Sequence, residues 1–183
     1  MLIIPMLGKS QRFKNAGFDC PKYMLPIGKK SVFECVIDSF LDVKNAEPVI
    51  LAVPDNITVK SFIAEKMQKY DLTYEIVTIH KETDGQADTV NQTISVLKQK
   101  PHILNTDVYI FNIDTFRFNV MLPKFRDHSA LSFETFNGNG DGWSFAVSDQ
   151  NGYATQVVEK KRVSKYCSTG MYHFSSAEIY TSA

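Results

Sequence analysis

The sequence predicts an α/β fold, a Rossmann-like three-layer α/β/α sandwich around a mixed, mainly parallel central sheet. Strand-like and helix-like segments alternate from residue 2 to residue 112, the order that βαβ units produce. The early strands are short, continuous apolar runs, as in sheets covered on both faces. After about residue 130 strand-like runs follow one another directly, so this part of the sheet need not be parallel.

Leu2 to Met6 is a buried first strand. Ser31 to Asp42 reads as a helix, because Val32, Phe33, Val36, Ile37, Phe40 and Leu41 recur at helical spacing. Ser31 followed by Glu34 forms a capping box. Val49 to Val53 is a second buried strand closed by Pro54, and Asn56 caps a helix carrying Val59, Phe62, Ile63, Met67 and Tyr70 on one face. Tyr74 to Ile79 is a third strand. Asp84-Gly85 turns the chain into a helix bearing Ala87, Val90, Ile94 and Leu97, and Val108 to Asn112 is a fourth strand. Leu131 to Phe136, Trp143 to Val147, Thr155 to Glu159 and Ser168 to Phe174 complete the set. The run Asn137-Gly138-Asn139-Gly140-Asp141-Gly142 supplies a turn between the first two of these.

The 183 residues have the length of one domain, and 44% hydrophobic residues suffice for a core. Lys plus Arg (20) balances Asp plus Glu (20), which argues against nucleic-acid binding through a basic surface but allows a local cationic pocket. No run of about 18 apolar residues is present to cross a membrane, and the first apolar run is too short, and lacks a charged n-region, for a signal peptide. Cys20, Cys35 and Cys167 are odd in number and scattered, so they make neither a disulfide framework nor a zinc site. They read as free thiols of a reducing cytoplasm. His80, His102, His128 and His173 have no metal spacing and no triad partner, and read as ordinary surface or partly buried residues.

Four segments carry candidate chemistry. In Leu7-Gly8-Lys9-Ser10-Gln11-Arg12, a strand ends in a turn whose backbone N–H groups can meet phosphate oxygens. Arg12 and Lys22 can neutralise a triphosphate and a departing pyrophosphate. Neither a P-loop nor a GxGxxG pattern is present, and an ordinary surface loop reads as well. Asp114, just past a buried strand, stands where open α/β sheets bind ligands and where Mg²⁺ accepts a carboxylate; a turn-capping Asp is the plain alternative. Gly85-Gln86 could let backbone approach a flat base at a helix start, or form a simple strand-to-helix turn. Glu159-Lys160, followed by Thr169-Gly170, could grip a hydroxyl and a phosphate of a second substrate, or be a solvated charge run on a hairpin.

The order of these segments, nearly end to end, resembles the sugar-phosphate nucleotidyltransferases, which include glucose-1-phosphate thymidylyltransferases and cytidylyltransferases. The matching positions are Gly8, Arg12, Pro21-Lys22, Leu25-Pro26, Gly85-Gln86-Ala87, Asp114, Glu159-Lys160 and Thr169-Gly170-Met171-Tyr172. Leu7 stands where that family has a small residue, Ser10 where Gly is common, and Gln11 where Ser or Thr is common. The resemblance implies catalytic roles for Arg12, Lys22 and Asp114, with Asp114 holding Mg²⁺. It implies nucleotide binding by Leu7, Gly8, Lys9, Gly85 and Gln86, and acceptor binding by Glu159, Lys160, Thr169 and Gly170. The family's second metal-binding Asp normally lies beyond the Thr-Gly-x-Tyr strand, so either the protein has a one-carboxylate site or, as is expected first, residues 1–183 are a single nucleotidyltransferase-like domain lacking a C-terminal part of a longer protein.

The implied reaction joins a nucleoside monophosphate from an NTP to a phosphorylated small-molecule acceptor, with release of pyrophosphate. A sugar 1-phosphate is the first expectation for the acceptor, for capsule, lipopolysaccharide or glycoconjugate precursors; phosphocholine is the alternative. Neither nucleic acid nor membrane is expected as a partner, and a homo-oligomer is left open. Two other classes remain. One is a nucleotide-binding regulatory module without catalysis. The other is a glycosyltransferase using a ready-made nucleotide sugar, which leaves Arg12 and Pro21-Lys22 unexplained.

Overall fold

The computed structural model describes residues 1–41, 48–100, 105–118, 120, 122 and 130–182. One eight-stranded sheet organises them. Four parallel strands come first in space: β1 (Leu2–Pro5) lies between β4 (Val49–Pro54) and β6 (Val108–Ile110), and β5 (Tyr74–Ile79) pairs with the far side of β4. The other four are β7 (Leu131–Asn137), β8 (Ser144–Ser148), β9 (Ala154–Glu159) and β10 (Tyr166–Phe174), joined antiparallel. The sheet is thus mixed with a parallel core, as the sequence predicts.

β10 ties the two parts together. Its last residues pair with β6 (Tyr172 with Ile110, Phe174 with Val108), while Tyr166 and Cys167 run past the end of β6 and pair with β8. β7 pairs with both ends of β10, but the register breaks between Ser168 and Tyr172. That break is a β-bulge, the device that bends a strand and re-aims its side chains.

Successive residues of a strand face opposite sides, and both sides of the parallel strands are covered. Leu2, Ile4, Leu51 and Val53 meet α2 (Val32–Asp38) and α3 (Ile57–Met67) through Phe33, Val36, Ile37, Val59, Ile63 and Met67. Ile3, Ile50, Ala52, Val77 and Ile79 meet α4 (Gln86–Leu97) and α5 (Ala177–Ser182) through Val90, Ile94, Leu97 and Ala177. Each such fully buried Val, Leu, Ile, Phe or Met side chain contributes about 1.5–3 kcal/mol of transfer free energy.

The predicted caps form. The Ser31 hydroxyl accepts from the Glu34 amide, and the Ser31 amide donates to the Glu34 carboxylate at 2.7 Å. Asn56 Oδ1 accepts from the Val59 amide at 3.1 Å. α2 ends at Asp38, earlier than the expected Asp42, which lies outside the described residues. α3 stops at Met67, so Tyr70 packs from beyond the helix. β6 stops at Ile110, two residues short of Asn112.

Four elements have no counterpart in the sequence reading: α1 (Gln11–Asn15), α5, a 3₁₀ turn (Lys22–Met24) and a small hairpin of β2 (Pro26–Ile27) and β3 (Lys30–Ser31). They are too short for a periodic signal. Among the histidines, exposed His80 meets Asp55, whereas His173 is buried at the β10–β6 pairing beside Asp107, deeper than expected. His102 and His128 lie outside the described residues. No helix of the described residues is long and apolar enough to cross a membrane.

Candidate active site

The C-terminal ends of β1, β5 and β6 open onto one edge of the sheet, and the β10 bulge reaches the same edge. Open α/β sheets bind ligands there.

The loop after β1 is shaped by Ser10, which adopts the left-handed conformation (φ 52°) at the start of α1. That conformation disfavours most side chains. The Ser10 hydroxyl compensates locally: it accepts from the Lys22 amide at 3.1 Å and donates to the Gly8 carbonyl at 3.4 Å. It therefore staples the Gly8 loop to the Pro21-Lys22 segment. The sequence marks Ser10 only as a departure from glycine, whereas its hydroxyl does what glycine cannot. Leu7 packs against the core on the α4 side of the sheet. Exposed Lys9 lies 3.4 Å from Glu82, and Arg12 projects from α1 with no side-chain partner among the described residues.

Lys22 opens the 3₁₀ turn, and Tyr23 beside it is buried in the core, which fixes the turn. Burial pushes the Tyr23 phenol up from its ordinary value. After β6 the side chains alternate: Phe111 and Ile113 are buried, while Asn112 and Asp114 face away from the core. The edge-on contact of Phe111 with Phe40, 5.0 Å between ring centres, holds the turn from below. Lys22 Nζ reaches Asp114 Oδ2 at 2.6 Å, so the two loops meet.

Gly85 precedes α4 with φ 100° and ψ −167°, a conformation open almost only to glycine. A Cβ there would meet nothing within 4 Å, so the space over it is clear. No side chain caps α4 among the described residues. The first turn of α4 is braced by the Tyr180 hydroxyl, which donates to the Ala87 carbonyl at 2.7 Å; burial, aided by Asp88, pushes that phenol up to about 12. Gln86 Nε2 donates to Asn112 Oδ1 at 2.6 Å. Gly170 (φ 83°) packs so closely on Asn112 that a Cβ would collide with its side-chain amide. Asn112, to which the sequence reading assigned no role, thus joins the Gly85-Gln86 corner to the Thr169-Gly170 bulge. Its alternation with buried Phe111 and Ile113, shared with Asp114, was the signal.

Glu159 and Lys160 pair with each other, and the Lys160 hydrogen bond holds the Glu159 carboxyl below the usual carboxylate range. Lys160 is itself left-handed (φ 55°), with its amide on the Trp143 carbonyl at 2.9 Å. Phe145 lies opposite both Val158 and Cys167, so Glu159 stands level with Ser168 on the binding edge. No hydrogen bond or ion pair links Glu159 or Lys160 to Lys22 or Asp114 among the described residues.

Residues 3–182 match the family described as nucleotidyl transferase. The chain is 37% identical to the nucleoside-diphosphate-sugar pyrophosphorylase from Vibrio cholerae RC9, over 100% of its own length and 76% of that chain, with a TM-score of 0.89. This chain belongs to the nucleotidyl transferase family. The nucleotidyltransferase also shares its fold with HddC from Yersinia pseudotuberculosis complexed with GMP-PN (18% identity, TM-score 0.77, 100% of this chain and 79% of that one). The inositol-1-phosphate CTP transferase from T. maritima shares it too (13% identity, TM-score 0.75, 98% and 71%). No curated protein matches the sequence. The chain is a nucleotidyltransferase of the nucleotide-sugar pyrophosphorylase type.

Among the described residues at this edge, Asp114 offers a carboxylate to a divalent cation. Lys22 occupies one of its oxygens, and the other has no partner among the described residues. No group of three or more His, Cys, Asp or Glu able to hold a metal occurs among the described residues. A lone carboxylate fits Mg²⁺, which keeps water and takes phosphate oxygens to complete its shell.

Proposed function

We propose that this nucleotidyltransferase joins a nucleoside monophosphate from an NTP to a sugar 1-phosphate, releasing pyrophosphate. The observation that carries the reading is the meeting of Lys22 and Asp114 at 2.6 Å, with Arg12 on the neighbouring helix lacking a side-chain partner among the described residues. A cation and a carboxylate held together at the mouth of a parallel sheet suit a polyanionic substrate and its metal.

In this reading the backbone of Leu7, Gly8 and Lys9 receives the triphosphate, and Arg12 binds its β- and γ-phosphates. Gly85 and Gln86 seat the base over the clear space at the start of α4. Lys160 binds the acceptor phosphate, Glu159 an acceptor hydroxyl, and the Thr169-Gly170 bulge flanks the acceptor. An acceptor phosphate oxygen attacks the α-phosphorus in line, the bond to the β-phosphate oxygen breaks, and pyrophosphate departs. Lys22 spans the α-phosphate and the attacking phosphate, countering the charge that gathers between them. Asp114 holds Mg²⁺, which when bound neutralises and orients the triphosphate. Positioning and charge stabilisation therefore carry the reaction. Products of this class serve cell-surface polysaccharide or glycoconjugate synthesis in the cytoplasm.

The test is pyrophosphate release with Mg²⁺, each common NTP, and a panel of sugar 1-phosphates plus phosphocholine. Release that needs one NTP and one sugar 1-phosphate, and is lost in Asp114→Ala, is expected. Release with phosphocholine alone would replace the acceptor class, and NTP binding without release would favour a regulatory module.

A further inference from the structure

The bulge in β10 poses a backbone problem. Between Ser168 and Tyr172 the ladder to β7 is interrupted, so Thr169, Gly170 and Met171 lose their register partners. Buried N–H groups without partners cost free energy. The bulge meets this with its own side chains: the Gly170 amide donates to Ser168 Oγ at 3.1 Å, and the Met171 amide donates to Thr169 Oγ1 at 3.3 Å. A threonine hydroxyl has one proton. Here it goes to Glu134 on β7, with Thr169 Oγ1 2.8 Å from Glu134 Oε2. With its proton committed there, Thr169 Oγ1 keeps a lone pair for the Met171 amide.

The same Glu134 oxygen takes a second donor, Arg117 Nη1. Arg117 lies three residues after Asp114, and its amide donates to Ser39 Oγ at 2.8 Å at the end of α2. One continuous run of contacts therefore leads from α2, through the segment carrying Asp114, to Glu134, to Thr169, and so to Gly170 against Asn112. Arg117 and Glu134 are about one-third exposed, whereas Ser39 and Gly170 at the two ends of the run are buried.

We infer that Glu134 is a positioning residue for the transfer reaction, fixing the Thr169-Gly170 bulge relative to the Asp114 segment so that the acceptor lies in line with the nucleotide. The inference rests on the transferase reading above. Glu134 acts through Thr169 and Arg117 and needs no contact with either substrate. In-line transfer is sensitive to such placement: a displacement of about 1 Å can cost on the order of 100-fold.

The test is steady-state pyrophosphate release for the native chain, Glu134→Ala, Glu134→Gln, Thr169→Val and Thr169→Ser, varying NTP and acceptor separately. Glu134→Ala should lower kcat/KM for the acceptor by about 10- to 100-fold, with KM for the NTP unchanged. Glu134→Gln keeps a carbonyl oxygen for Thr169 and Arg117 and should recover most of the loss. The Glu134→Ala/Thr169→Val double variant should be no worse than Glu134→Ala alone. Native acceptor kinetics in Glu134→Ala, equal losses in Ala and Gln, or an equal rise in KM for the NTP would overturn the assignment. Should Glu134→Ala fail to fold, the isosteric Thr169→Val decides: it must lose acceptor kcat/KM while Thr169→Ser retains it, and equal behaviour of the two overturns the assignment. A native chain that releases no pyrophosphate with any acceptor overturns the transferase reading along with this one, whereas an active native chain with an unaffected Glu134→Ala overturns only the role of Glu134.

Discussion

Lys22 Nζ and Asp114 Oδ2 stand 2.6 Å apart although 92 positions separate them in the chain. The pair is partly open to solvent, with Asp114 about half exposed, and such pairs add only about 0–1 kcal/mol to stability. In the proposed reading their juxtaposition serves the transfer reaction rather than the fold. Replacing Lys22 with Ala should lower turnover about 100- to 1000-fold, as loss of one charge-stabilising donor does. The melting temperature should hardly move. Pyrophosphate release and a thermal melt on the same preparation check both halves, and near-native turnover would remove Lys22 from the reaction.

Metal removal gives a second prediction. Chelation should abolish pyrophosphate release and added Mg²⁺ should restore it, because the triphosphate would otherwise meet Asp114 as a bare carboxylate. Asp114→Ala should not be restored by the same Mg²⁺ concentration. Equal Mg²⁺ dependence in native and Asp114→Ala protein would place the cation elsewhere.

Gly85 and Gly170 both hold positive φ but differ in surroundings. Gly85→Ala meets open space and pays for backbone strain alone, about 1–3 kcal/mol. Gly170→Ala adds a collision with Asn112, and overpacking costs a further 1–3 kcal/mol or so. Chemical denaturation should therefore rank Gly170→Ala as the more destabilising. The reverse order would mean that Asn112 moves aside freely.

Glu34 sets an acid limit on stability. Burial alone would raise its carboxyl, but Lys69 and the amide and hydroxyl of Ser31 outweigh burial and bring it down to about 2 from 4.5. A carboxyl lowered on folding stabilises fully above its unfolded value and loses that contribution as pH falls through the folded one. The window is thus pH 4.5 down to about 2, and the contribution is on the order of 3 kcal/mol. Glu34→Gln should flatten the pH dependence of unfolding free energy across that window. An unchanged slope would show that Glu34 does not titrate differently on folding.

Much of the fold was legible because it is written in local patterns. The apolar runs Leu2–Pro5 and Val49–Val53, the Ser31/Glu34 cap and the helical spacing of Val90, Ile94 and Leu97 each encode one element without outside help. Short pieces escaped for the opposite reason: α1 follows the Ser10–Lys22 contact, and the β2–β3 hairpin is only two pairs long, so neither carries a periodic signal. Of the site, Asp114 and Gly85 were marked by position at a strand end and a helix start. Arg117 and Glu134 were not, since an ion pair across 17 positions and a hydroxyl contact across 35 leave no local trace. Asn112 lay between the two cases, two residues from Asp114 and in the same alternation with buried neighbours.

The position of β1 between β4 and β6 also governs how the chain comes off the ribosome. Ile3 pairs on one side with Ile50 and on the other with Ile110. At synthesis rates of about 5–20 residues per second, β1 waits roughly 5–20 s with an unsatisfied edge before β6 emerges to cover it. An open apolar strand edge is a template for the wrong partner. The nascent chain is therefore most vulnerable to misassembly in the interval before residue 110 emerges.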